Sequence, residues 1–264
     1  MNRAVRYLAL ASGALQQRLA YRTAFFLAIV SNLFQCFALL YLWHAVYGGR
    51  PAIGGFSWPE LKTYLLLTLF TNMVAGWQSE MQMVSRIIDG SVAVDLLKPF
   101  DFQLARLVET LAAAVFEGGA MLLVLVLTAL AVGDILLPPS PQLWFAVMLS
   151  FGLGVLIKFG VQYITCLLAF WSNHGWGIVN ARAALTQLFS GALVPLPLMP
   201  AWLREWCEVL PFQGIVYLPS SIYLGRASDV AFALAGQAAW ALGLFALGRF
   251  SFAHALRKVT IHGG

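Results

Sequence analysis

Three carboxylates, Asp89, Asp95 and Asp101, fall within thirteen residues of this 264-residue chain. Closely spaced aspartates hold divalent cations through hard oxygen ligands, the chemistry of a metal-dependent phosphotransferase. The residues after Asp89-Gly90 read Ser-Val-Ala-Val-Asp-Leu-Leu-Lys-Pro. They lack the Ala-Arg pair and the later Gly-x-x-x-Asp-x-x-x-Asp spacing that membrane phosphatidyltransferases use. An intramembrane serine protease would need a Gly-x-Ser-Gly setting and a histidine in a later apolar run. Here Phe189-Ser190-Gly191 lacks the first glycine, and His254 lies past the last run. No Gly-x-x-x-x-Gly-Lys-Ser/Thr occurs, so the chain has no phosphate-cradling loop for ATP. Energy for any uphill transport would come from a partner or an ion gradient.

Two ionisable residues lie inside long apolar runs, Glu117 and Lys158. Such groups mark functional or structural sites, because a lone charge in hydrocarbon is costly. Glu117 is ten residues, roughly 15 Å, from the inner end of its run, and Lys158 twelve residues, roughly 18 Å, from the inner end of the next. The matched depths predict a buried ion pair between the third and fourth membrane spans, which reversing both charges would preserve. The alternative is that Lys158 snorkels toward a water-filled pathway without Glu117.

The elements that position these residues follow from composition. The chain is 61% hydrophobic and only 10% charged, with a mean hydropathy of +0.80. A soluble domain carries about 25% charged residues and could not hide this much apolar surface. Disorder, a nucleic-acid-binding domain and most water-soluble folds are excluded. The net charge of +5 then reads as cationic loops facing an anionic leaflet. Cys36, Cys166 and Cys207 have no metal-ligand or disulfide spacing.

The predicted fold is all-α, one transmembrane domain over 1–264 with six spans. They fall at about 23–46, 61–78, 107–132, 142–170, 178–198 and 229–249. The first run is too long for a cleavable signal peptide. Residues 2–20 repeat apolar positions at helical spacing (Ala4, Leu8, Ala11, Leu15, Leu19), which reads as an amphipathic helix in the membrane interface. Lys and Arg concentrate in 1–22, 79–106 and 250–264, so both termini are placed in the cytoplasm. Two segments are neither spans nor turns. One is the cytoplasmic loop 79–106. The other is the external segment 199–228, with Trp202, Arg204, Glu205, Trp206 and Glu208, read as interfacial and partly re-entrant or as a plain interfacial anchor.

This arrangement resembles the ABC-2 type permeases, the membrane subunits of ABC exporters. Two stretches carry the likeness. One runs Ile88-Asp89-Gly90-Ser91-Val92-Ala93-Val94-Asp95-Leu96-Leu97-Lys98-Pro99. The other runs Phe189-Ser190-Gly191-Ala192-Leu193-Val194-Pro195-Leu196, then Leu210-Pro211-Phe212, Pro219 and Ile222-Tyr223-Leu224-Gly225. The resemblance implies a short coupling helix at about Ser91–Leu97 that docks on a separate ATPase. Asp89 and Gly90 would precede it, Ser91 would be its N-cap, and Lys98 and Pro99 would end it. Asp95 and Lys98 would offer charged contacts, and Val92, Leu96 and Leu97 an apolar face. It also implies a pathway formed with a second permease subunit, heterodimer favoured over homodimer, in which Phe70, Trp77 and Phe189 would meet an amphipathic substrate. ATP and Mg would be bound by the partner ATPase. This chain would bind no cofactor or nucleic acid, would not itself be an enzyme, and would sit among lipids of a bacterial inner membrane. Two other readings are an integral-membrane metal-dependent enzyme acting on lipid head groups and a non-transport scaffold subunit.

Overall fold

The computed structural model describes residues 3–20, 22–74, 76–98, 100–172 and 174–256. Its helices are α1 (Arg3–Ala20), α2 (Arg22–Tyr47), α3 (Trp58–Met73), α4 (Trp77–Ile88), α5 (Val92–Leu96), α6 (Phe102–Val132), α7 (Pro141–Leu167), α8 (Gly175–Phe189), α9 (Ala201–Val209), α10 (Tyr217–Tyr223) and α11 (Val230–Ala255). The one sheet among the described residues is a two-stranded antiparallel hairpin, β1 (Ala52–Ile53) with β2 (Phe56–Ser57). The chain is therefore all-α in class. Arg257, Lys258 and Pro99 lie outside the described residues.

Four stretches are long and apolar enough to cross a membrane: Ile29–Tyr47, Phe102–Leu130, Pro141–Phe170 and Val230–Ala255. They match the first, third, fourth and sixth expected spans. The other two are shorter than expected. α3 stops at Met73, where the sequence reading ran its span to 78. Its 16 residues span about 24 Å, short of a hydrocarbon core of about 30 Å. α8 stops at Phe189, where a span was expected to 198. Gly191, at φ +81, ends it, and an added Cβ there would lie 2.6 Å from Leu196 and 2.7 Å from the Tyr64 hydroxyl. Residues 196–198 form a single 3-10 turn instead.

α3 is the centre of the main core. Leu61, Tyr64, Leu65, Leu66 and Leu69 are all buried, against Cys36, Leu40 and Trp43 of α2, Met121 of α6 and Ile157 of α7. A helix apolar on every face is stable only when enclosed on every face. Its start is fixed by a capping box between Ser57 and Glu60. α6 and α11 begin on the carboxylates of Asp101 and Asp229, which accept from Leu104 N and Phe232 N at 2.9 Å each. α7 and α11 pack lengthwise, and small residues permit the approach: an added Cβ at Gly160 would lie 2.7 Å from Leu244 Cβ.

Polar contacts align the two ends of the bundle. At the hairpin end, Lys62 reaches Gly133 O at 3.1 Å and Asp134 at 3.3 Å, while Arg226 donates to Gly55 O at 2.8 Å and Glu60 at 3.0 Å. At the α5 end, Arg249 pairs with Asp101 at 2.6 Å, and Gln103 donates to Phe245 O at 2.9 Å.

Between α9 and α10 the chain turns through Pro211–Gly214 and seats this tip halfway along α7. An added Cβ at Gly154 would lie 2.9 Å from Gly214 O. Gln237 of α11 donates to Gly214 O at 2.7 Å and to Ser150 O at 3.1 Å, and the Ser150 hydroxyl donates to Gln237 Oε1 at 2.8 Å. Every peptide group deep in an apolar bundle needs such a partner.

Candidate functional site

The loop that drew attention in the sequence folds as α4, a tight turn at Asp89–Ser91, and α5. Gly90 sits at φ +76, and Asp89 accepts from Ser91 N at 2.9 Å. The Ser91 side chain first, and this backbone bond second, hold the exposed Asp89 carboxyl below its usual pKa, with the Arg86 charge assisting. Ser91 stands at the N-cap position of α5, but its side chain makes no capping bond. The helix is Val92–Leu96, two residues shorter than 91–97.

Its faces differ from the expected ones. Val92 is buried and Leu96 half-buried, both packed into a cluster with Met83, Val84, Ile87, Phe102 and Tyr163. Leu97 is 85% exposed and Val94 60% exposed. The outward apolar tip is therefore Val94 and Leu97. Asp95, expected to offer a charged contact, is only 7% exposed. It accepts from Lys98 at 2.6 Å and Arg86 at 2.9 Å, and Arg106 of α6 lies at 3.6 Å. Burial works to raise its pKa, but Lys98, Arg106 and Arg86 together outweigh it and hold the carboxyl below its usual value. Asp95 thus ties α5 to α4 and α6.

The three aspartates do not converge. Asp89 holds its own turn, Asp95 holds three cations, and Asp101 caps α6 and pairs with Arg249. Among the described residues no three His, Cys, Asp or Glu side chains form a metal-binding group.

α4 is anchored at its other end by charges that hydropathy alone did not single out. Glu80 is buried and accepts from both Arg182 Nε, at 3.0 Å, and Arg182 Nη2. Gln162 of α7 also reaches Glu80, at 3.5 Å. This fork-to-fork geometry is the strong form of an ion pair. The readable signal is two opposite charges in half-apolar helices on the same side of the bundle.

Glu117 and Lys158 meet at the gap between α3 and α4. The Lys158 ammonium donates to Thr71 O at 3.0 Å, Asn72 O at 3.1 Å and Val74 O at 2.6 Å. These are carbonyls that the end of α3 leaves open. Glu117 Oε2 accepts from Gly76 N at 3.1 Å, and Gly76 is the N-cap of α4. A cation thus faces a helix C-terminus and an anion a helix N-terminus, each complementing a macrodipole end. The two side chains expected to pair thus cap the two sides of one break, near enough for the Glu117 charge to act on Lys158.

The expected pathway residues are dispersed. Phe70 packs edge to face on Phe151 at 5.3 Å and lines an apolar cavity of about 420 Å³ with Val74, Gly118, Val155 and Lys158. Phe189 stacks on Phe212 at 5.9 Å. Trp77 opens α4.

A family model described as ABC-2 family transporter protein matches residues 33–263. No match was found among curated proteins. The match spans most of α2, then the broken helix, α5, the other three long apolar helices and the seated tip, and it agrees with the resemblance carried by the sequence. This chain belongs to the ABC-2 transporter family, as a multi-pass membrane permease.

Proposed function

We propose that this permease forms the translocation pathway of an ATP-driven exporter and draws its energy from separate ABC ATPase subunits that dock on α5. The observation that carries this reading is the exposed pair Val94 and Leu97 on a five-residue helix whose base is locked by Asp95. Bare leucine and valine on a short charged-rimmed helix suit burial against another protein. Asp95 supplies the stiffness such a contact needs to transmit motion, because it joins α5 to α4 and α6.

In this reading the membrane is crossed six times. α3 and α8 make the second and fifth passes as short, enclosed helices, with α4 completing the second. Both termini face the cytoplasm, as the clustering of Arg6, Arg86, Lys98 and Arg106 near one end supports. α1 lies in the cytoplasmic interface. The tip Pro211–Gly214 re-enters from outside, which its seat against Gly154 at mid-helix supports. A second permease subunit, more readily a different chain than a copy, completes the pathway in a bacterial inner membrane. The chain itself is no enzyme and binds no cofactor. ATP and Mg reside in the partner ATPase. Export rather than uptake follows from the family resemblance.

The test is a site-directed crosslink. Leu97→Cys, placed in the full chain in native membranes, should crosslink to a Walker-motif ATPase, and Asp89→Cys should do so less. No ATPase adduct at either position would contradict docking on α5.

A further inference from the structure

The apolar cavity of about 420 Å³ is walled by the middles of α6 and α7, the end of α3 and Ile215 beside the tip. We propose that it holds one acyl chain of a membrane lipid, inserted sideways from the bilayer. This inference is independent of which ATPase docks or what is exported.

The rim and the depth of the cavity differ in exposure. Val115 of α6 is 76% exposed and Leu111 37%, and Gly152 of α7 is exposed as well. Val74 and Ile215, in the same lining, are only 6% and 4% exposed. The cavity thus opens on the outer surface of α6 and α7 and runs inward to the end of α3. Gly152 keeps its mouth clear, since no atom lies within 4 Å of where a Cβ would stand.

Depth decides what stands at that mouth. The two membrane-crossing stretches are Phe102–Leu130 and Pro141–Phe170, and the lining residues from 111 to 118 and from 151 to 158 sit near the centre of each. The middle of a bilayer is about 15 Å from either headgroup layer, half of a core of about 30 Å. The solvent there is the ends of acyl chains.

The wall calls for a neutral occupant. Lys158 is the one ionisable side chain among the described lining residues. An ammonium has three N–H groups. Lys158 gives them to Thr71 O, Asn72 O and Val74 O, the open end of α3. Thr71 turns its hydroxyl back to Leu67 O and Thr68 O of its own helix. The other lining side chains are apolar or glycine. Water, which needs about two to four polar partners, is a poor occupant of such a wall. An apolar cavity of about 150 Å³ already takes a benzene-sized guest, so this one has room for a run of methylenes. Lipid tails are as apolar as leucine, so the chain is held by close contact on several sides rather than by escape from water. Seated there, it touches Val74, whose carbonyl Lys158 holds at 2.6 Å, and braces the break between α3 and α4.

The experiment uses the full chain in vesicles of dioleoyl phosphatidylcholine. The probe is a phosphatidylcholine carrying a diazirine near the end of one acyl chain, and tandem mass spectrometry locates the adducts after illumination. Phe145 and Met148 of α7, 75% and 73% exposed and outside the cavity lining, report ordinary bilayer contact. The expected result is labelling of Phe70 and Ile215 in addition to Phe145 and Met148. A second lipid, with its diazirine beside the glycerol, should label neither Phe70 nor Ile215. Gly152→Phe should fill the mouth and remove the adducts on Phe70 and Ile215 while those on Phe145 and Met148 stay. Its melting temperature should match the wild type, because Gly152 has open space around it. Adducts confined to Phe145 and Met148, equal labelling of Phe70 and Ile215 by both lipids, or labelling unchanged in Gly152→Phe overturns the proposal.

Discussion

Lys158 and Glu117 face opposite ends of one break. The Lys158 ammonium takes the open carbonyls of Thr71, Asn72 and Val74 at the end of α3, and Glu117 takes the free N–H of Gly76 at the start of α4. Neither side chain can exchange roles with the other, because carbonyls need a donor and an amide needs an acceptor. The break lets α4 turn away from α3 toward α8, where Glu80 meets Arg182. It separates an enclosed helix from the segment that carries α5.

Charge exchange at this break is predicted to fail. Lys158→Glu with Glu117→Lys would put a carboxylate against three carbonyls and an ammonium against an amide. The double variant should be no more stable than Lys158→Glu alone in a detergent melting assay. Lys158→Met should cost roughly 3 kcal/mol, about one for each stranded carbonyl. Rescue by the double exchange would restore the simple ion-pair reading.

The Glu80–Arg182 pair is predicted to behave in the opposite way, because its partners contact each other directly. Either single truncation, Glu80→Leu or Arg182→Leu, should cost about 3–5 kcal/mol by leaving a buried charge unmatched. The exchange Glu80→Arg with Arg182→Glu should recover part of that loss. The check is the melting temperature of all three variants beside the wild type.

The four long helices and the helical position of residues 2–20 were legible in the sequence, because an apolar run longer than the bilayer has one stable solution. The two short helices were not. Hydropathy averages over a break, and the residues from Phe70 to Trp77 carry no charge through it. What stops α3 is compensation from elsewhere, Lys158 and Glu117, which lie more than forty residues away in sequence. At the site, a short helix was expected at 91–97 and α5 covers 92–96; Leu97 and Lys98 are exposed as expected, whereas Val92, Leu96 and Asp95 turn inward. Asp95 reads as a surface charge until Arg86 and Arg106 are brought beside it by α4 and α6.

Acid stability follows from Asp95. Its folded pKa is depressed, so the stability it contributes is present above its unfolded value and is lost as pH falls through the folded one. The attachment of α5 should therefore be unchanged from pH 7 down to the ordinary aspartate value of 3.8 and weaken only below it. Amide hydrogen exchange across 92–96 measures this. Asp95→Asn should loosen the segment at all pH values and remove the acid transition.

The seat of the tip is predicted to be intolerant of one methyl group. Gly154→Ala would bring Cβ to 2.9 Å from Gly214 O and 3.3 Å from Ile215 O, both backbone atoms. The cost should be about 1–3 kcal/mol, the usual range for overpacking a closed core. Gly152→Ala, two residues away with no atom within 4 Å, should be near neutral. Comparing the two melting temperatures isolates the effect.

The most direct test of the account is copurification from native membranes with Val94→Glu and Leu97→Glu combined, beside Asp95→Ala. The wild-type chain should bring down a Walker-motif ATPase. The Val94/Leu97 variant should lose it while its melting temperature stays that of the wild type, since both side chains are exposed. Asp95→Ala should lose it together with a lower melting temperature. An ATPase retained at wild-type levels by the Val94/Leu97 variant, or absent from the wild-type chain, would contradict a permease driven through α5.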